Sequence, residues 1–155
     1  MSLESVRTFF ATKAPDIDVI ELASSTATVT LAAEAHGVEP GQIAKTLAFR
    51  IGERHVLIVA SGDARIDNRK MREVFDAKAK MLDAETVLEL TGHPVGGVCP
   101  FGLATPLPVY CDESLRAYDE VLPAAGATHS AVPIAPARLA TLTEAEWIDV
   151  CKLPA

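Results

Sequence analysis

The chain has 155 residues, 49% of them hydrophobic, a mean hydropathy of +0.22 and a formal net charge of −7. That length suits a single domain, residues 1–155, able to bury a real core. The acid surplus argues against a nonspecific nucleic-acid coat, which works by neutralising many phosphates, so no DNA partner is expected. The best apolar run, Val56–Ala60, falls far short of a bilayer span, and Met1–Arg7 lacks the pattern of a secretion signal. A cytoplasmic protein without a membrane partner is the expectation. Cys99, Cys111 and Cys151 make an odd count without CxxC or Cys/His ligand spacing. They argue for reduced thiols and against a structural zinc site.

In chain order, Leu3, Val6, Phe9 and Phe10 recur at helical spacing and predict a helix from Leu3 to Lys13, ended by Pro15. Asp18–Leu22 reads as a short strand. Ser24 or Ser25 is placed to cap a helix over Thr26–His36, closed by Gly37. Thr26, Thr28 and Thr30 weaken its propensity and are candidates for a polar face lining something. Ile43–Ile51 and His55–Ala60, separated by Gly52-Glu53-Arg54, predict the best hairpin in the sequence. On its first strand Lys45 shares a face with Leu47, Phe49 and Ile51, where an ammonium either snorkels to the strand mouth or meets a ligand.

Asp67 predicts a cap for a helix over Asn68–Asp76, Lys80–Leu82 a short strand, and Asp83 a cap for a helix over Ala84–Leu90 that stops at Gly92. Further on, Pro108–Asp112, Val121–Ala125, His129–Ile134 and Glu146–Val150 read as strands, Glu113–Tyr118 as a helical turn and Ala135–Thr141 as a helix. Short strands with irregularly inserted helices predict an α+β fold with a mixed, strongly curved, barrel-like sheet. Charge is unevenly distributed. Arg65, Arg69, Lys70, Arg72, Lys78 and Lys80 face three acids within residues 64–80, whereas residues 81–125 carry seven acids against Arg116 alone. The basic shoulder is a candidate contact for an anionic partner.

Between the last helix of the first half and the later strands runs Gly92-His93-Pro94-Val95-Gly96-Gly97-Val98-Cys99-Pro100-Phe101-Gly102. Glycine lets a ligand approach the main chain, and a Gly-Gly pair before a Pro-stiffened stretch can offer consecutive N–H groups to an oxyanion. No GxGxxG or Gly-Lys-Ser/Thr pattern occurs, which removes most of the weight from dehydrogenase and kinase readings.

The ordered set Ile43-Ala44-Lys45-Thr46-Leu47, Ser61-Gly62-Asp63, Ile66-Asp67 with Lys70, Gly96 to Gly102 and His129-Ser130 resembles the YbaK family, the prolyl-tRNA synthetase-associated editing domains. The resemblance runs from about Val19 to Val150. It implies a free-standing hydrolase that removes a wrongly attached amino acid from transfer RNA, most often the proline acceptor, without a cofactor or metal. It further implies that Lys45 holds a phosphate or the substrate carbonyl, that the N–H groups around Gly96 and Gly97 cradle the aminoacyl end, and that the neighbouring ribose hydroxyl helps to activate water. Val98, Cys99, Pro100, Phe101, Gly102, Ser130 and Thr30 complete the expected substrate site. His129 is the candidate third catalytic member, and Arg65, Arg69, Lys70 and Arg72 are the candidate RNA contacts. A transient contact with a synthetase or elongation factor fits the same picture.

Cys99 stands where many family members have serine. Near His129 as a base it would permit an alternative, thiolate attack on the ester; a small apolar filler is the plainer role. A noncatalytic acceptor-stem binding module, and a small-molecule hydrolase or interaction domain with a degenerate site, are further alternatives. Ala44, Ala48 and Gly96 point to a pocket for a small side chain such as that of alanine, serine, threonine or cysteine.

Overall fold

In the computed structural model the described residues are 2–153. The β2–β3 hairpin, Ile43–Ile51 and Arg54–Ser61, pairs antiparallel over its whole length, with Lys45 opposite Ala60 and Phe49 opposite Val56. Around it β5 (Ala79–Met81) pairs antiparallel with β2, while β6 (Val109–Asp112) pairs parallel with β3 and β9 (Glu146–Ile148) parallel with β6. The resulting order is β5-β2-β3-β6-β9, with β7 (Leu122–Pro123) parallel to the start of β2. Two further two-stranded pairs join β1 (Ile20–Glu21) to β8 (Ser130–Ala131) and β4 (Arg65–Ile66) to β10 (Cys151–Lys152). The fold is α+β with a mixed sheet, as the strand pattern predicts. Among the described residues the sheet ends at β9 on one side and at β5 and β7 on the other, without the closure that a barrel-like sheet would have.

Alternation along the hairpin divides the interior in two. Ala44, Ala48, Leu57 and Val59 face a core shared with α1 (Ser2–Lys13), whose Phe10 packs edge-on against Phe101 with centroids 4.7 Å apart. Phe49, Ile51, Val56 and Ile58 face a second core with Met71 of α3 (Asn68–Phe75) and with Val150 and Cys151. Each large side chain so buried contributes about 1.5–3 kcal/mol. α3 and α4 (Ala84–Thr91) start on the caps expected of them, Asp67 and Asp83. The second helix, α2, spans Val29–His36 and is capped by Thr28, whose hydroxyl accepts from the Leu31 N–H; neither Ser24 nor Ser25 caps it. α5 (Pro136–Thr143) begins on a proline.

One feature of the sheet edge prepares the site. β7 covers the outer edge of β2 at Ile43 and Ala44, and β5 covers it at Phe49–Ile51, which leaves residues 45–47 without a strand partner on that side. The Leu82 N–H donates to the Ala48 carbonyl at 3.0 Å, so Ala48 presents its main-chain groups to this edge. By alternation Thr46 does too.

Candidate active site

A cavity of about 270 Å³ opens at this gap. Its floor is β2 from Ala44 to Ala48. Val29, Ala32 and His36 of α2 form one wall, Ala84 and Val87 of α4 another, and Val95, Gly96 and Val98 bring in the glycine-rich loop. The volume lies just below the ~300–1,000 Å³ of drug-sized sites. Met81 and Val95, 59% and 62% exposed, form an apolar rim.

The loop is held from beneath. His93 is fully buried; its Nε2–H donates to the Phe101 carbonyl at 2.7 Å and its Nδ1 accepts from the Ser2 hydroxyl at 2.5 Å. A carbonyl only accepts, so Phe101 requires a proton on Nε2, and in the neutral ring Nδ1 then accepts from Ser2. Burial lowers the His93 pKa, in keeping with that state. Gly96 has φ +91°, and a Cβ there would sit 3.0 Å from that of Ala27. Gly97 is tighter still: a Cβ would meet the Ala127 nitrogen at 2.7 Å and the Gly126 carbonyl carbon at 2.9 Å. Its carbonyl accepts from the Gly126 N–H at 2.9 Å, and its own N–H donates to Pro94 O. The Gly96 and Val98 N–H groups have no hydrogen-bond partner among the described residues.

The aminoacyl-tRNA editing domain family matches residues 23–142. The chain belongs to this family. The uncharacterized protein YwhH of Bacillus subtilis is 51% identical over 154 residues, 98% of each chain. A proline–tRNA ligase of Bacillus cytotoxicus is 30% identical over 81 residues, which cover 52% of this chain and 14% of the ligase. A solved structure described as "a putative trans-editing enzyme for prolyl tRNA synthetase" is 37% identical, with a TM-score of 0.90 over 97% of both chains.

Within this editing domain Lys45, Gly96, Val98 and Ser130 come together around the cavity. The Lys45 ammonium donates to the carbonyls of Gly62, at 3.3 Å, and Ala64, in the turn after β3. Burial lowers its pKa, partly opposed by the Cys151 and Asp63 side chains. The Ser130 hydroxyl is tied to the Ala127 peptide, accepting from its N–H and donating to its carbonyl, both at 3.1 Å.

Other expected members lie elsewhere. Gly97 sits behind the loop with its N–H already committed to Pro94. Pro100 and Phe101 are buried in the body of the domain, and a Cβ on Gly102 would run into the Ser5 carbonyl oxygen at 2.6 Å, in α1. Cys99 is corrected most clearly. Its sulfur is fully buried beside His93, 3.6 Å from Nε2, not beside His129, and burial pushes its thiol up to about 12. His129 lies outside the cavity, its side chain 45% exposed and 3.4 Å from Glu21. Thr30 points to solvent from α2, whereas Thr26 and Thr28 line the cavity.

On α3, Arg69 pairs with Glu73 at 3.3 Å and Lys70 with Asp149 at 2.9 Å, while Arg65 and Arg72 have no carboxylate partner among the described residues.

Sequence reasoning missed His36 and Thr46 as cavity members. His36 looks like an ordinary helix-end residue, and Thr46 alternates away from the Lys45 face that drew attention. The period-two argument that placed Lys45 with Leu47, Phe49 and Ile51 puts the Thr46 side chain on the opposite face of β2, and Thr46 lines the cavity.

Proposed function

We propose that the chain is a trans-editing aminoacyl-tRNA deacylase that hydrolyses the ester of a small, wrongly attached amino acid, with the proline-accepting transfer RNA as its substrate. The observation that carries this reading is the facing of the Gly96 loop and the unpaired edge of β2 across a cavity of about 270 Å³. Family membership and the likeness to a protein described as a trans-editing enzyme support the reaction class. The ligase relative and that same neighbour support the choice of acceptor.

An aminoacyl ester is already activated, so an oriented water and donors for the developing oxyanion suffice. Water adds to the ester carbonyl carbon, and the Gly96 and Val98 N–H groups meet the oxyanion. The carbon–oxygen bond to the ribose then breaks, and the departing ribose oxygen takes up a proton. The ribose hydroxyl next to the ester is assigned the orienting of the water. Lys45 supplies positive charge at the strand mouth, as a positioning group rather than a proton carrier. Arg65 and Arg72 are assigned to the acceptor stem.

The test presents a panel of mischarged transfer RNAs and follows ester half-life with and without protein. Acceleration for at least one small aminoacyl ester on the proline acceptor is expected, and a drop in kcat/KM of tenfold or more for Lys45→Ala. No acceleration for any member would overturn the enzyme reading and leave a binding module.

A further inference from the structure

The matched family segment begins at residue 23, so α1, Ser2–Lys13, precedes it, yet α1 packs directly against the loop that offers the Gly96 and Val98 N–H groups. Part of that junction is apolar. The Phe101 ring, at the loop's far end, lies 4.7 Å from that of Phe10 and 5.6 Å from that of Phe9, centroid to centroid. Another part is main chain at close range. A Cβ on Gly102 would meet the Ser5 carbonyl oxygen at 2.6 Å, and one on Gly126, at φ +91°, would meet the Ser2 carbonyl oxygen and hydroxyl at 2.8 Å. Gly126 in turn donates its N–H to the Gly97 carbonyl at 2.9 Å, inside the loop.

The polar part of the junction runs through His93, which is fully buried. Its ring bonds the Ser2 hydroxyl through Nδ1 at 2.5 Å and the Phe101 carbonyl through Nε2 at 2.7 Å. Its main-chain N–H donates to Thr91 Oγ1 at 3.0 Å, and that buried hydroxyl donates to the Val87 carbonyl of α4 at 2.7 Å. His93 and Phe101 bracket residues 94–100, so the Nε2 bond closes the neck of the loop, much as packed side chains draw together the ends of an Ω-loop. The Cys99 thiol, 3.7 Å from the same carbonyl, is a weak donor and no substitute for the imidazole. Phe101 is fully buried, so its carbonyl, stripped of the imidazole, would bear the whole desolvation cost of an unmet acceptor. That cost favours a displaced loop over one left in place.

Resting on the deacylase reading, we infer that Ser2 and His93 are positioning residues for the reaction, through which α1 holds the Gly96 and Val98 N–H groups where the ester oxyanion develops. Neither residue lines the cavity, so both act through the loop and not on the substrate. Donors of this kind work by being aimed before the reaction starts, and they bond the transition state more strongly than the ester it comes from. Loosening their support therefore lowers kcat and leaves KM near its value. A contact that only stabilised the fold would lower the unfolding midpoint and spare the turnover of molecules still folded.

Ser2→Ala, His93→Leu and His93→Gln separate these outcomes. With a mischarged proline-acceptor transfer RNA, His93→Leu is expected to lower kcat about tenfold or more, with KM within about twofold of wild type. Ser2→Ala should lower kcat severalfold, and His93→Gln, which keeps a donor toward the Phe101 carbonyl, should retain most of it. Should His93→Leu fail to fold, Ser2→Ala carries the test, because Ser2 is only partly buried. The amide hydrogens of Gly97 and Gly126, bonded to the Pro94 and Gly97 carbonyls, report on the loop without turnover. Their exchange should quicken in Ser2→Ala and His93→Leu while that of the β2–β3 hairpin keeps its wild-type rate. Unchanged kcat in the folded variants, a loss confined to KM, or unchanged exchange at Gly97 and Gly126 overturns the inference. A wild-type protein that hydrolyses no ester sinks the deacylase reading, and the exchange rates then still decide whether α1 fixes the loop.

Discussion

A thiol that stays protonated is a poor nucleophile, and Cys99 is held in that state by complete burial, with its pKa pushed up to about 12. Its sulfur packs with Phe101 and the α1 side chains beneath the loop. Cys99→Ser and Cys99→Ala are therefore expected to keep kcat/KM for deacylation within about threefold. The Ala variant should lose about 1 kcal/mol of stability from the small cavity it opens. Trapping of a thioester on the wild-type protein would contradict this. His93 carries a different consequence. Burial holds its folded pKa below the 6.5 of the unfolded chain, so between the two values the unfolded state binds a proton that the folded state does not. Its neutral state is matched to folding above pH 6.5, and stability falls as pH drops below it. His93→Gln, which retains a donor near the Nε2 position and does not titrate, should lose less stability than wild type between pH 7.5 and pH 5. Urea midpoints at the two pH values measure the difference.

At the scale of elements, the loop is a part whose main chain matters more than its side chains. Gly97 is wedged against the Gly126–Ala127 peptide, and its carbonyl accepts from Gly126. Backbone on the far side cannot step aside as a flexible side chain would. Gly97→Ala is expected to cost about 1–3 kcal/mol and to displace the loop. Deacylation should fall more than Cys99→Ala makes it fall, which parallel urea melts and ester half-lives will show. The irregular course of the loop was legible from its four glycines and two prolines, as were the β2–β3 hairpin, α3 and α4, because turn residues and caps act locally. β10 was not legible, since Cys151 and Lys152 form a strand only by pairing with Ile66 and Arg65, far away in sequence. The same limit applies to the site. Lys45 and Gly96 stood out by residue type and both line the cavity, but the free edge of β2 arises from where β5 and β7 happen to stop. His129 was drawn in by its neighbour in sequence, and the fold turns it out toward Glu21 instead.

For the molecule as a whole, a net charge of −7 and a basic shoulder pull an RNA partner in opposite senses. Only the cations not already paired within the protein can release counterions from a phosphate. Arg69 and Lys70 are bound to Glu73 and Asp149, which among the described residues leaves Arg65 and Arg72 of the four proposed contacts without a carboxylate partner. Two phosphate contacts predict a shallow dependence of log Kd on log salt, with a slope of magnitude about 1.4–1.8, because each contact contributes ~0.7–0.9. Arg65→Gln and Arg72→Gln should each lower that magnitude by about 0.7–0.9, with little change in hydrolysis of a minimal aminoacyl-adenosine ester that lacks the stem. Lys70→Gln should instead weaken the α3 contact with Asp149 and Cys151 O and leave the slope unchanged. Fluorescence titrations of a proline-acceptor minihelix at several salt concentrations give the slopes. A slope that stays the same in both arginine variants would place the RNA on another face and separate the chemistry of the cavity from this shoulder.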